Sequence, residues 1–187
     1  MKVFDYKRLA KPCSYKTVGE GRRPYKRSLK DVIGLVIHST SGVADTAKNE
    51  CDYFATGNTR SAGAHSFVDY QGKTGRSIYP RYVAWSVGDK WNGQGHYFGT
   101  LTNSNTISIE MCGVEKRDVS EAQLKALKKL VRYYGKKCPN IKYIVRHYDI
   151  TTKPCPTRYR GSAKNDAKWQ QLKSELMAEL RKVKKGD

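Results

Sequence analysis

The run Val32-Ile33-Gly34-Leu35-Val36-Ile37 is continuous, apolar and rich in β-branched residues, and polar Ser39-Thr40-Ser41 with Gly42 bounds it. That pattern predicts a strand buried on both faces, so His38 leaves the sheet at a strand end. Ala47, Cys51 and Phe54 then recur at i, i+4 and i+7, which predicts a helix capped by Asp45 or Thr46 and stopped by Gly57. Alternation over residues 64–70 predicts a strand that turns at Gln71-Gly72-Lys73 and pairs with residues 76–79, and a further short strand is expected at 83–87. Residues 89–105 are rich in Gly, Asn and Thr and predict a long, functional surface loop carrying Trp91, His96, Tyr97 and Phe98. Alternation returns at 106–111, placing Ile107 and Ile109 on one face and Ser108 with Glu110 on the other. Ser120 and Gln123 read as a capping box opening a helix whose apolar face is Leu124, Leu127, Leu130, Val131 and Tyr134, with Gly135 as its expected stop. Tyr143-Ile144-Val145 predicts a last strand, from whose end Arg146 and His147 emerge. Trp169, Leu172, Leu176 and Leu180 mark a final helix over 166–183.

Strands interleaved with helices, and chemistry-bearing residues following two of the strands, imply an α/β sandwich with ligands beyond the strand ends. A chain of 187 residues suffices for one domain with a full core. Residues 1–30 are basic and show neither helical nor strand rhythm, so the expected organisation is an N-terminal arm over 1–30 and a catalytic domain over 31–187.

Charge narrows the class of partner. Lys and Arg total 36 against 17 Asp and Glu, a formal charge of +19, which predicts attraction to a polyanion. Nucleic acid and an anionic cell wall both satisfy that composition, but no zinc-finger or helix-turn-helix pattern is present, so no nucleic-acid partner is expected. No stretch approaches the ~20 apolar residues of a membrane span. Met1 to Tyr15 has no apolar core of the kind a secretory leader carries, so the expectation is a protein made in a cytoplasm. Five cysteines is an odd count without a C-x-x-C pair, which fits a reducing compartment, and Cys51 and Cys112 read as small buried hydrophobes.

The stretch Arg146 to Pro156, R-H-Y-D-I-T-T-K-P-C-P, gathers an imidazole, an amine and a thiol in a short irregular segment. His147 and Cys155 are both preferred zinc ligands, and His38 is the best third candidate. Three protein ligands leave one position for water, the arrangement of a catalytic zinc. A carboxylate in reach must then move the water's proton, and Glu110 is the acid best placed for that. Lys153, two residues before a ligand, could support a developing oxyanion. As residues alone, Glu110 also reads as a solvated strand carboxylate, Lys153 as one surface lysine of many, and His65 as a satisfied sheet histidine.

With these positions in place the chain resembles the type-2 N-acetylmuramoyl-L-alanine amidases, a family of zinc amidases that includes many phage endolysins and shares its fold with peptidoglycan recognition proteins. The motifs that carry the likeness are V-I-H-S-T around His38, N-T-I-S-I-E around Glu110 and the stretch ending in Cys155 and Pro156, over roughly Val32 to Trp169. The resemblance implies a mixed sheet flanked by helices, Zn²⁺ on His38, His147 and Cys155, and Glu110 with Lys153 as the catalytic pair. It further implies cleavage of the amide between N-acetylmuramic acid and L-alanine, with peptidoglycan as partner; the charge adds anionic wall polymers as a second expected partner, and the expectation is a monomer made in a host cytoplasm and acting on the wall after release. His65 and Trp85 are expected to line the substrate cleft. Two positions depart from the family pattern. Ala64 stands where some members have a catalytic Tyr, which leaves the proton transfer to Glu110, and Ser86 stands where many have a His after Trp85. A binding-only module of the same fold and a zinc endopeptidase are the competing readings; Cys155 argues against the first.

Overall fold

The computed structural model describes residues 3–18, 23–88 and 93–185. Six strands form one mixed sheet: β1 (Tyr6–Lys7), β4 (Gly34–Ser39), β5 (Ser66–Val68), β6 (Thr74–Arg76), β7 (Thr106–Met111) and β8 (Tyr143–Arg146), in the order β1-β6-β5-β7-β4-β8. β5 and β6 pair antiparallel, and every other neighbouring pair is parallel. A two-stranded ribbon pairs β2 (Thr17–Val18) with β3 (Arg23–Pro24). The apolar run read as a doubly buried strand is β4, at the sheet's interior between β7 and β8, with Leu35, Val36 and Ile37 wholly buried.

Period two divides each central strand between two cores. Leu35, Ile37, Ile107, Ile109 and Ile144 face α2 (Glu121–Lys137) and α4 (Ala163–Lys185), packing on Leu127, Leu130, Val131, Tyr134, Trp169, Leu172, Leu176 and Leu180. The other face carries Phe67 under Ala47, Cys51 and Phe54 of the α1 region (α1, Ala47–Asp52), while Val36 and Val145 pack against Val87, Leu101 and Ile150. His38 and Glu110, each next to last in β4 and β7, therefore stand on the face opposite α2 and α4, at the carboxyl ends of parallel strands, where open α/β sheets bind ligands.

Several local readings change. Residues 83–87 form no strand; Ala84 and Tyr82 make single bridges to Tyr15 and Lys26, because their partners are isolated residues of the N-terminal segment. The strand expected at 76–79 is β6, shifted to 74–76. Gly135 does not stop α2, which runs on to Lys137. It is instead where α4 approaches: a Cβ there would lie 2.9 Å from Leu180 Cδ1. The Ser120 and Gln123 signal is half of a capping box. Ser120 Oγ accepts from Gln123 N–H at 3.0 Å, but the buried Gln123 amide donates to Val68 and Cys112 carbonyls at 2.9 and 3.0 Å, stitching α2 to the sheet. Residues of the expected arm enter the domain: β1 pairs parallel with β6, and Arg27 is 8% exposed. All five cysteines are free, with Cys51 and Cys112 buried.

Candidate active site

His38 is the penultimate residue of β4, and the register sets it directly beside Glu110 of β7, which is itself beside Phe67 of β5. These three form one row across the sheet on the face away from α2. His147 follows β8, its N–H donating to Ile37 O at 3.3 Å, and opens the short helix α3 (Tyr148–Thr151). The chain then reverses at Thr152, a β-branched residue held left-handed at φ 58°, a conformation that costs about 1–3 kcal/mol. That reversal brings Cys155 back, with Tyr148 N–H donating to Cys155 O at 2.9 Å. Arg146 anchors the segment from the opposite face: its guanidinium donates to Asp149 at 2.7 Å, to Asp166 of α4 at 2.6 Å and to Tyr159 O at 2.5 Å.

The outcome is a buried group of His38, His147 and Cys155 whose ligand atoms all lie within 4.8 Å of one another. Cys155 Sγ is 3.7 Å from His38 Nδ1, and the two imidazole centroids are 4.7 Å apart at 63°. Donors bonded at ~2.0–2.3 Å to one tetrahedral ion sit roughly 3.3–3.8 Å from each other, so two imidazoles and a thiol at this spacing fit zinc in both chemistry and reach. Burial, followed by the neighbouring His147 and Lys153, pushes His38 well below the usual histidine range, which keeps it as the neutral imidazole a metal requires. Burial pushes the Cys155 thiol up to about 12, an effect the Glu110 carboxyl reinforces and the Ser39 N–H, donating to Sγ at 3.4 Å, opposes. A thiolate at this position would form together with uptake of a metal.

Glu110 Oε1 is 3.9 Å from His38 Nδ1, and its Oε2 is buried without a hydrogen-bond partner. Burial raises this carboxyl to about 7; the Lys153 ammonium pulls it down and the Asp45 carboxylate pushes it up. A carboxyl group poised there can exchange a proton at neutral pH. Lys153 is exposed, close enough to act electrostatically on His38, Glu110 and Cys155. His38, Glu110, His147, Lys153 and Cys155 all line one cleft of about 630 Å³, and Trp85 and Ser86 form part of its wall.

His65 does not line it. Its ring is wholly buried, 3.0 Å from Ser108 Oγ on one side and 3.0 and 3.1 Å from Arg27 Nη2 and Tyr82 O on the other, so it belongs to the cleft's foundation. Trp91 lies outside the described residues. The rest of the long loop is pinned next to the site: Gly95 and Tyr97 N–H donate to Ile150 O and Asp149 O at 2.8 and 2.9 Å.

Two positions that shape the cleft escaped the sequence reading. Glu50 of α1 lines the cleft, its carboxyl raised to about 9 by burial and by a hydrogen bond with Asp45, so it stays protonated at neutral pH. In the sequence it is indistinguishable from any acidic residue in a helix's first turn. Arg27 is the other. It donates to Pro80 O, Asn103 O and Ser104 O, each at 3.0 Å, and Asn103 Oδ1 in turn accepts from Ser86 and Val87 N–H at 2.8 and 2.7 Å, holding the cleft wall. Arg27→Met should lower stability by roughly 1.5–3 kcal/mol, because three buried carbonyls lose a charged donor. Urea unfolding checks this, and an unchanged midpoint would mean water replaces the guanidinium.

A family profile described as N-acetylmuramoyl-L-alanine amidase matches residues 28–158. The chain belongs to this family. The N-acetylmuramoyl-L-alanine amidase CwlL of Bacillus licheniformis is 32% identical over 137 residues, 68% of this chain and 37% of that protein. The chain therefore spans about a third of that relative's length. Among solved structures, PlyL superposes with a TM-score of 0.65 at 24% identity, covering 100% of this chain and 99% of the other. The endolysin amidase LysCS from Clostridium intestinale URNW gives 0.58 at 18%, covering 93% and 97%. Both share the amidase fold. The family match spans all five cleft residues named above, whereas Arg27 and β1 precede it.

Proposed function

We propose that this amidase-family chain is zinc-dependent and hydrolyses the amide between the lactyl group of N-acetylmuramic acid and L-alanine of peptidoglycan. The observation that carries the reading is the convergence of His38, His147 and Cys155 within 4.8 Å, with Glu110 3.9 Å from one of them, in an open cleft. Zinc held by these three donors supplies Lewis acidity and a nucleophile available at neutral pH.

The chain's own residues do the rest. Glu110, above His38 in the same row, takes the proton of the attacking water and delivers it to the departing alanine nitrogen, so one carboxyl serves both halves of the reaction. Lys153 presents an ammonium from the cleft rim to the carbonyl oxygen as charge develops on it. Trp85 offers a ring against which sugar or peptide can lie. Ala64 in place of a Tyr is consistent with this division, since Glu110 needs no second acid. Glu50, its proton shared with Asp45, lines the cleft as a neutral group and adds no repulsion toward substrate.

Metal content of the purified chain, measured by mass spectrometry alongside product analysis on isolated walls, tests the proposal. One zinc per chain, activity lost on chelation, and new N-terminal alanine are the expected results. New N-termini other than alanine would make the chain an endopeptidase of the stem or cross-bridge. Wall binding without any product would make it a binding module.

A further inference from the structure

The cleft does not use the chain's charge. Its ionisable lining pairs three carboxyl groups, Glu50, Glu110 and Glu115, with only two lasting cations, Arg60 and Lys153. The excess lies across the sheet, where α2 and α4 together carry 13 Lys and Arg against four Asp and Glu. These two helices hold 40 of the 187 residues and account for +9 of the +19, so folding gathers nearly half of a charge that looks dispersed along the sequence onto two neighbouring helices. Part of it is spent internally, since Lys128 pairs with Glu175 at 2.6 Å and Arg132 with Glu179.

The outer edge of α2 gathers cations in a row, Arg132 among them. Lys129, Arg132, Tyr133 and Lys136 recur at i, i+3, i+4 and i+7, and with Lys137 and Val3 they enclose a groove of about 410 Å³. Tyr133 is fixed as its floor by an edge contact with Phe4, at a centroid separation of 5.2 Å. A run of ammonium groups along one helix edge, beside an aromatic and aliphatic floor, suits a flexible chain with regularly spaced negative charges and short carbon spacers.

We propose that this groove binds a phosphodiester-linked anionic polymer of the cell wall, holding the domain on its substrate through a face remote from the cleft. The proposal rests on the wall reading above, which supplies the occupant. Charge complementarity favours a polyanion over an apolar peptide. The phosphodiester spacing favours a polymer over a single small anion, because three lysines, Lys129, Lys136 and Lys137, are strung along two helical turns beside Arg132.

The test compares two triple variants of equal net charge. Lys129→Gln, Lys136→Gln and Lys137→Gln remove groove cations, whereas Lys7→Gln, Lys26→Gln and Lys30→Gln remove exposed cations elsewhere. Retention on isolated walls is titrated with salt, using walls with their phosphodiester polymer and walls stripped of it, and hydrolysis of a small soluble muropeptide is measured in parallel. The groove variant should be retained on the order of tenfold more weakly on intact walls, with a shallower salt slope by roughly 2, as expected when about three ionic contacts are lost. On stripped walls it should match the parent, and soluble hydrolysis should be unchanged. Equal loss in both triple variants would reduce the effect to net charge and overturn the groove. Undiminished retention of the parent on stripped walls would overturn the polymer, as would duplex DNA binding that the groove variant loses while wall retention stays intact. Failure of soluble hydrolysis in the parent itself would instead remove the amidase reading and leave the retention result standing.

Discussion

Cys155→Ser is expected to give a folded protein that retains no stoichiometric zinc and loses at least ~10²-fold of its activity on walls. Changes beside a metal ligand typically cost 10–100-fold, and loss of the ligand itself should exceed that. The physical reason lies in the donor set. Burial holds the Cys155 thiol up at about 12, and the Ser39 N–H is the nearest group favouring the thiolate, so the anion is stabilised chiefly by a cation within the group of donors. A serine hydroxyl is far harder to deprotonate and a poorer zinc ligand than thiolate. His38 and His147 would remain, and two imidazoles do not make a closed set for this metal. The fold should survive, because the structural contact at this position is the Cys155 carbonyl accepting from Tyr148 N–H, which the substitution does not touch. Metal analysis together with a thermal melt in chelator separates the two effects. A Ser variant with one tightly held zinc and full activity would place the metal site elsewhere.

How far such a site could be seen beforehand depends on the range of the interactions that build it. His38 and His147 were legible because each stands at the end of an apolar run that reads as a strand, and the parallel neighbours β4 and β8 deliver those ends to one edge of the sheet. Glu110 was legible as the residue alternating with Ile107 and Ile109, and the β4–β7 register that sets it beside His38 confirms the face. What was hidden depends on segments distant in sequence. His65 reads by its residues as a satisfied sheet histidine and is expected at the cleft, and it is Arg27, 38 positions earlier, that closes over it. Residues 83–87 read as a strand, yet the segment makes only single bridges, Ala84 to Tyr15 and Tyr82 to Lys26, which no periodicity announces. Gly135 reads as a helix stop by local chemistry, and only the passage of α4 at Leu180 gives it another use. The gathering of charge onto α2 and α4 is of the same kind, since two helices 25 residues apart in the chain become neighbours only through the shared sheet face.

Glu110→Gln should keep the zinc and the fold and lose 10² to 10⁴-fold in turnover, the typical contribution of a positioned general acid–base. The amide is nearly isosteric with the carboxyl, so Trp85, Lys153 and the cleft shape are undisturbed. Stability should hold or rise slightly, because the native carboxyl is held up at about 7 by burial and leaves Oε2 unpartnered, conditions that disfavour its charged form. What the glutamine cannot do is carry a proton between water and the leaving nitrogen. The loss should therefore appear in kcat on a small soluble muropeptide, with KM little changed, and zinc content should stay at one per chain. Full turnover in this variant would assign the proton to another group. His65 could not take the role, sealed as it is against Ser108, Arg27 and Tyr82. Glu50 would be the residue to substitute next, since its carboxyl lines the same cleft and already holds a proton at neutral pH.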